Sequence, residues 1–424
     1  MNRDERAAVG LAMAAHAMVH TYELTIPLFL TVWLVEFATV DLGVVSFGVN
    51  AATLGLVVTA GYGLFGLGAL PGGLLVDRVG STRLIAGSLF GMGGAFLALW
   101  LAPGMASVAV ALLVWGAAAS VYHPAGLTLL STAVDERGAA FAYHGMAGNA
   151  GIALGPLCAA VLLLVVGWRT VALALAVPAL VAGVYAVRTD VDGGAPAVGE
   201  RTAAGSLAMF RHDARRLFAG GFVLVLALVM SSGLYYRGVL TFLPEMLAEL
   251  PGYGPVALSS VVPGVEGDRT LHPARYFYAA LLMVGVGGQY VGGKLTDRIP
   301  VEYGLVAVFG GLAAVAAAFP LAAAAGGAPL LALGGLLGFV LFAAQPFYQA
   351  TVAEYTPTDV RGLSYGFTYL GVFGVGAAGG AIAGTVLTYA RRGTLFAVLA
   401  GFALVGLSLG VTLLRRREAP SAGA

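Results

Sequence analysis

Twelve apolar runs, most of them at or beyond the roughly 20 residues a helix needs to cross hydrocarbon, constrain this chain more than any other feature. They span about 8–36, 46–75, 83–102, 105–132, 138–166 and 169–188 in the first half, and about 215–249, 274–296, 302–322, 328–354, 361–389 and 393–414 in the second. Within a bilayer each backbone N–H and C=O must find its partner inside the protein, so runs of this length are predicted to be membrane-spanning helices. Composition agrees: 59% of residues are hydrophobic and 10% charged, where a soluble domain carries about a quarter charged residues. The 22 Lys+Arg against 21 Asp+Glu leave no basic excess for nucleic acid, which is excluded as a partner. The first run follows Met1-Asn2-Arg3-Asp4-Glu5-Arg6 and has no small-residue cleavage site at the usual distance, so it reads as a retained span. The single cysteine, Cys158, lies in an apolar run, reads as a packing residue and permits no intrachain disulfide.

The chain is duplicated. Gly72-Gly73-Leu74-Leu75-Val76-Asp77-Arg78 after the second run returns as Gly292-Gly293-Lys294-Leu295-Thr296-Asp297-Arg298 after the eighth, an offset of 220. Pro124 in the fourth run matches Pro346 in the tenth at 222, and Arg137-Gly138 matches Arg361-Gly362 at 224. Paired proline-interrupted spans in two halves are the pattern of a secondary transporter whose site lies between the repeats. The expected organisation is an all-α membrane protein of two pseudo-symmetric six-helix bundles, residues 1–188 and 215–424, joined by a polar cytoplasmic linker over 189–214. Orientation follows the basic residues. With both termini inside, sixteen of the 22 fall on inner segments, only Arg169, Arg269, Arg275, Arg391 and Arg392 fall outside, and Arg237 lies within a span. The expectation is a multi-pass protein of the cell membrane with cytoplasmic termini, acting as a monomer in the bilayer.

The duplicated turn and the span count resemble the major facilitator superfamily over about residues 8–415. The resemblance implies an inner gate at Gly73, Asp77, Arg78, Gly80 and Arg83, with a second copy at Gly293, Asp297 and Arg298, while the plainer alternative is a turn that only fixes topology and the hairpin angle. Asp77 facing a helix N-terminus and arginines near C-terminal ends also suit the helix dipoles. Ser120-Val121-Tyr122-His123-Pro124-Ala125-Gly126 and the run from His144 to Leu157 are similar to the fosmidomycin resistance branch, which implies proton-coupled drug export. Gly151, Gly155 and Pro156 resemble the span-five motif of antiporters, where small residues bring helices close and proline bends one of them. The span-four arginine of many drug antiporters is absent.

Polar residues at mid-membrane depth are costly, about 2.5 to 3.5 kcal/mol for a charge, and normally face a cavity or a partner. His16, His20 and Glu23 share one stripe of the first span. Tyr22 and Tyr236, Arg237, His123, Asn149, Gln345 and Gln349 are the other candidates for a central site, while His144 is weaker. Glu23 with His20 is predicted to carry the proton, and Arg237 to pair with Glu23 or bind an anionic group of the solute. The competing reading is a static Glu23–Arg237 pair that only fixes helix packing. Trp33, Trp100 and Trp168 read as interface anchors.

The function expected is secondary active transport of a small drug-like or anionic organic solute by alternating access, in proton-coupled efflux. Proton symport or facilitated uptake of an organic anion is the alternative. An intramembrane metal-dependent enzyme or metal carrier built on His16, His20 and Glu23 is disfavoured, since the Glu of His-Glu-x-x-His is missing and no nucleophile or Walker motif accompanies the spans. No enzyme activity, cofactor or resident metal is expected.

Overall fold

A computed structural model describes residues 1–41, 43–189, 203–261, 269–357 and 360–418; the side chains of Leu74, Asp77, residues 203–209, Arg361 and Gly362 are outside the description. The first half holds α1 (Arg3–Glu36), α2 (Ala51–Leu67), α3 (Ala69–Val79), α4 (Ser81–Leu101), α5 (Met105–Ser120), α6 (Tyr122–Ala133), α7 (Arg137–Val165) and α8 (Trp168–Arg188). After α9 (Ala203–Phe218), the second holds α10 (Phe222–Leu240), α11 (Leu243–Ala248), α12 (Pro273–Thr296), α13 (Val301–Ala325), α14 (Gly327–Glu354), α15 (Arg361–Tyr369), α16 (Ala378–Tyr389) and α17 (Arg392–Glu418). Among the described residues, eleven helical stretches are long and apolar enough to cross a membrane. The twelfth span is α12, 24 residues long and made more polar by Arg275, Gln289 and Lys294.

Residues at the helix ends explain where the spans begin and break. Asn2 and Glu5 form a reciprocal cap at the start of α1, Glu5 N–H to Asn2 Oδ1 at 2.9 Å and Asn2 N–H to Glu5 Oε2 at 2.6 Å. The second span starts at Ala51 rather than 46, because Thr39–Asp41 (β1) pairs antiparallel with Ser46–Gly48 (β2) and Asn50 then caps α2 through Thr53. The fourth span divides into α5 and α6 at Val121, just ahead of Pro124, whose ring cannot donate a backbone hydrogen bond. The eleventh contains a π-helical segment, Leu370–Val375, between α15 and α16. A second short ladder pairs Val256–Ala257 (β3) with Thr270–Leu271 (β4).

Two sequence readings change here. Residues 72–79, read as a charged turn, are helical to Val79; the turn is Gly80 alone, at φ 90, a left-handed conformation that glycine adopts without a Cβ penalty. The seventh span starts at Phe222 rather than 215, because α9 is a separate helix that ends on Phe218, 4.9 Å from the Phe367 ring and 5.7 Å from the Phe222 ring. The remainder of the linker reading, 190–202, lies outside the described residues.

The packing repeats between the halves. α4 packs on α8 as α13 packs on α17, and α1 on α7 as α10 on α16. Across the boundary, α2 meets α16 and α7 meets α12, the same relationship with the halves exchanged. Without a hydrophobic driving force between helices in lipid, such contacts depend on small residues and buried hydrogen bonds. Along α2, Ala52 N–H donates to Thr388 Oγ1 at 2.9 Å, Thr59 O–H to Ala377 O at 2.8 Å, and Gly66 lies against the backbone of Gly374.

Candidate functional site

His16, His20 and Glu23 fall within two turns on one side of α1, and α7 lies close enough to meet them because its contact face is glycine. A Cβ on Gly148 would enter the His16 ring, and Gly151 and Gly155 lie against Ala17 and Thr21. Pro156 sits inside the same helix.

At the centre, Arg237 of α10 donates from Nη2 to Glu23 Oε1 at 2.5 Å, with side chains 2% and 1% exposed. The pair joins one half of the molecule to the other. The guanidinium lies 3.7 Å from the Tyr62 ring centroid and 5.3 Å from that of Tyr236, an arrangement in which the ring faces attract the cation. Tyr62 O–H donates to the Glu23 carbonyl at 2.6 Å. Glu23 Oε2 bonds His20 Nδ1 at 2.7 Å, His20 Nε2 meets His16 Nε2 at 3.1 Å, and His16 Nδ1 donates to the His144 carbonyl at 2.8 Å.

A cavity of about 50 Å³ opens beside this chain, lined by His20, Glu23 and Ile152 from the first half and by Ser232, Gly233, Tyr236, Leu341, Phe342, Gln345, Tyr348, Val372 and Phe373 from the second. Sites for drug-sized ligands run to about 300–1,000 Å³, so this space admits a few waters and the site is contracted. The π-helical segment supplies Val372 and Phe373 to its wall, and an added backbone residue per turn is a recurrent way of aiming side chains into a site.

Several predicted residues meet here: Glu23, His20, Tyr236 and Gln345 line the cavity. Gln345 Oε1 also accepts from Gln289 Nε2 at 3.1 Å. Arg237 stands behind the wall, covered by Tyr62 and Tyr236 and occupied by Glu23. His123 is buried, stacked on Tyr369 at 5.1 Å, with its Nε2 lacking a hydrogen-bond partner among the described residues.

Tyr22 is a correction: its hydroxyl donates to the Leu175 carbonyl at 2.7 Å and its ring packs on Phe96, because one residue from Glu23 is a rotation of about 100° around the helix. Asn149 and Gln349 are half-buried and do not line the cavity; Ile152 and Tyr348 take those places. Tyr62, Tyr348 and Ser232 were missed, and their signal was a polar atom in mid-span. Trp33 and Trp168 are not interface anchors but pack edge to face at 5.6 Å, Trp168 Nε1 donating to Glu36, whereas Trp100 is exposed. Cys158 is exposed rather than packed inside.

Of the predicted gate residues, Gly73, Arg78, Arg83, Asp297 and Arg298 lie near the end of the bundle that carries the termini. Arg78, Arg83, Asp297 and Arg298 are exposed and make no ion pair among the described residues. Gly80 forms the turn, Gly293 is half-buried, and the Asp77 side chain falls outside the description.

One ring nitrogen from each of His16, His20 and His123 could in principle hold a metal, but their spread reaches 4.8 Å. Two ligands at about 2.0–2.1 Å from a tetrahedral ion stand about 3.4 Å apart, so the present spacing suits hydrogen bonds better than coordination.

Two six-helix bundles in pseudo-symmetric contact around a small cavity that polar side chains enter define a membrane transporter fold. The chain belongs to the Major Facilitator Superfamily, whose sequence model matches residues 11–380. Among solved structures, it is similar to the crystal structure of a D-xylose–proton symporter (14% identity, TM-score 0.69, covering 96% of each chain). It is equally similar to a peptide transporter crystallised with sulfate (15% identity, TM-score 0.69, covering 97% of this chain and 94% of that one). At these identities the likeness concerns the fold. No curated protein matches the sequence.

Proposed function

We propose that this protein is a proton-coupled secondary transporter that exports a small drug-like or anionic organic solute by alternating access, and that it is not an enzyme. The Glu23–Arg237 pair carries the reading, because it links the two halves at the cavity wall through groups that a proton can uncouple. An ionised Glu23 attracts Arg237 strongly in a site from which water is largely excluded. A proton on Glu23 removes that attraction and lets the bundles part, and in the alternate, unprotonated step an anionic group of the solute competes with the carboxylate for the guanidinium. Tyr236 and Gln345 then offer a ring face and an amide to the solute, and His20 hands the proton to Glu23. The turn at Gly80 with Arg78 and Arg83, and its copy at Asp297 and Arg298, serve the inner gate.

The orientation in this proposal has both termini in the cytoplasm of a cell-membrane protein, in line with the basic residues at that end. The likeness of spans four and five to the fosmidomycin resistance branch supports export, with fosmidomycin itself as the first solute to try. The test is fosmidomycin movement in vesicles containing the purified protein, with an imposed pH gradient of either sign and a pH-sensitive dye inside. Export coupling predicts that solute and proton cross in opposite directions; movement in the same direction identifies a symporter, and movement indifferent to the gradient overturns proton coupling.

A further inference from the structure

We propose that His16, His20 and Glu23 together hold one exchangeable proton as a single hydrogen-bonded relay, which carries it along α1 from the cavity in the direction of the end of the bundle that bears the termini. The inference rests on the proton-coupled reading above and deepens it: Glu23 is one end of the acceptor, and His16 is the other.

Counting hydrogens leads to this result. The His144 carbonyl can only accept, so His16 Nδ1 carries a hydrogen. The 3.1 Å contact between His16 Nε2 and His20 Nε2 requires a hydrogen on one of the two atoms. The 2.7 Å contact between His20 Nδ1 and Glu23 Oε2 requires another, on the ring or on the carboxyl. Three bonds thus need three hydrogens. Two neutral imidazoles and an ionised carboxylate bring only two. The third is one added proton, and the bonds persist whether it resides on His16, His20 or Glu23. Its departure leaves two acceptors facing each other, so one contact of the three must open.

The surrounding groups leave this count unchanged. From α10, Arg237 bonds the other carboxylate oxygen, and Tyr236 stands beside the cavity. From α2, the Tyr62 hydroxyl is committed to the Glu23 carbonyl. From α6, Tyr122 gives its hydrogen to the Ala12 carbonyl at 2.5 Å, so His144 Nε2 of α7, 3.0 Å from that hydroxyl, must be the donor of the pair. His144 also stacks on His16 at 3.8 Å between centroids. His123 of α6 lies 5.3 Å from the His16 ring and 5.8 Å from His20, and is backed by Tyr369 of α15; Tyr348 of α14 faces the relay across the cavity.

The relay has a direction. Glu23 and His20 line the cavity, whereas His16 does not, and the seven residues from 23 back to 16 cover about 10 Å of helix axis. Chains of carboxylates and histidines within spans are a known means of passing protons through membrane proteins. Gly148 positions the inner end, since a methyl group there would displace the His16 ring without adding or removing a titratable group.

The experiment is ¹⁵N NMR of the full-length protein, labelled at its histidine imidazoles and held in lipid vesicles, titrated with pH as wild type, Glu23→Gln, His20→Gln and Gly148→Ala. The relay predicts that His16 and His20 titrate in one shared step releasing one proton. It also predicts that Glu23→Gln shifts the His16 signals although His16 does not touch Glu23, and that Gly148→Ala splits the shared step. Separate steps, or a His16 spectrum indifferent to Glu23→Gln, overturn it. So does stoichiometric bound transition metal whose removal by chelator changes the His16 and His20 signals. Dye-reported proton movement in the same vesicles separates the two claims: His16→Gln should reduce it about a hundredfold, the scale for losing a positioned proton-transfer group. If His16→Gln carries protons normally while Glu23→Gln does not, the relay fails and the coupled transporter stands; if both carry protons normally, both readings fail.

Discussion

Arg237 reaches from the second half of the molecule to Glu23 in the first, its Nη2 2.5 Å from Glu23 Oε1. Neither charge has access to bulk solvent, and the remaining oxygen of the carboxylate belongs to His20. Rocking one bundle against the other has to lengthen this contact, so the state of the carboxyl and the relative position of the halves are linked through a single bond.

Removing one partner strands the other. Arg237→Ala is expected to lower stability by about 3–5 kcal/mol, the scale for an unpaired buried charge. Replacing both, Glu23→Gln with Arg237→Gln, should cost clearly less while still abolishing gradient-driven transport. Thermal unfolding of the purified variants tests this, and a double variant no more stable than Arg237→Ala contradicts the pairing.

The α2–α16 contact must open on the side away from the termini if the bundles rock. In a Cys158→Ser background, Ala52→Cys with Thr388→Cys should form a disulfide under mild oxidation and stop transport, with reduction restoring it. The backbone of residue 52 already touches the side chain of residue 388, at 2.9 Å. Full transport by the cross-linked protein would show that this contact never parts.

Gly80 is the only residue between α3 and α4 and stands at φ 90. Gly80→Ala forces a Cβ into a left-handed conformation at a cost of roughly 1–2 kcal/mol. It should slow transport through the gate and leave solute affinity within a few fold, as read by binding and flux on the same preparation.

At the opposite end, burial, with Arg275 adding to it, holds His272 down to about 4. Its free value is about 6.5, so the unfolded chain binds the proton more readily than the folded one between these limits. The His272 contribution is therefore complete above about pH 6.5 and is lost as pH falls towards 4. His272→Gln should flatten the dependence of thermal stability on pH within that window; an unchanged profile argues against a neutral His272.

Much of this was legible in the residues themselves. Apolar runs of span length can only be helices in lipid, and the offsets of Asp77–Asp297 and Pro124–Pro346 expose the two halves. The stripe of His16, His20 and Glu23 follows from helix geometry. What sequence could not supply was azimuth relative to neighbours: Tyr22 turns into the first bundle, and Tyr348 rather than Gln349 meets the cavity. Nor does sequence reveal bonds to backbone atoms, and the count of three hydrogens depends on one, the His144 carbonyl that fixes His16. The break at Gly80 was misplaced because a glycine pair and an Asp-Arg step look like a longer turn, whereas the helix continues through both.

In the proposed cycle the carboxyl of Glu23 couples the proton to the movement of the halves. The most direct test of this coupling compares two modes of transport by Glu23→Gln in vesicles, with fosmidomycin as solute: net movement driven by a pH gradient, and exchange of labelled for unlabelled solute with no gradient. Driven movement should be lost while exchange persists, because a permanently neutral residue 23 still lets the bundles rock. Driven movement at the wild-type rate in Glu23→Gln would contradict it.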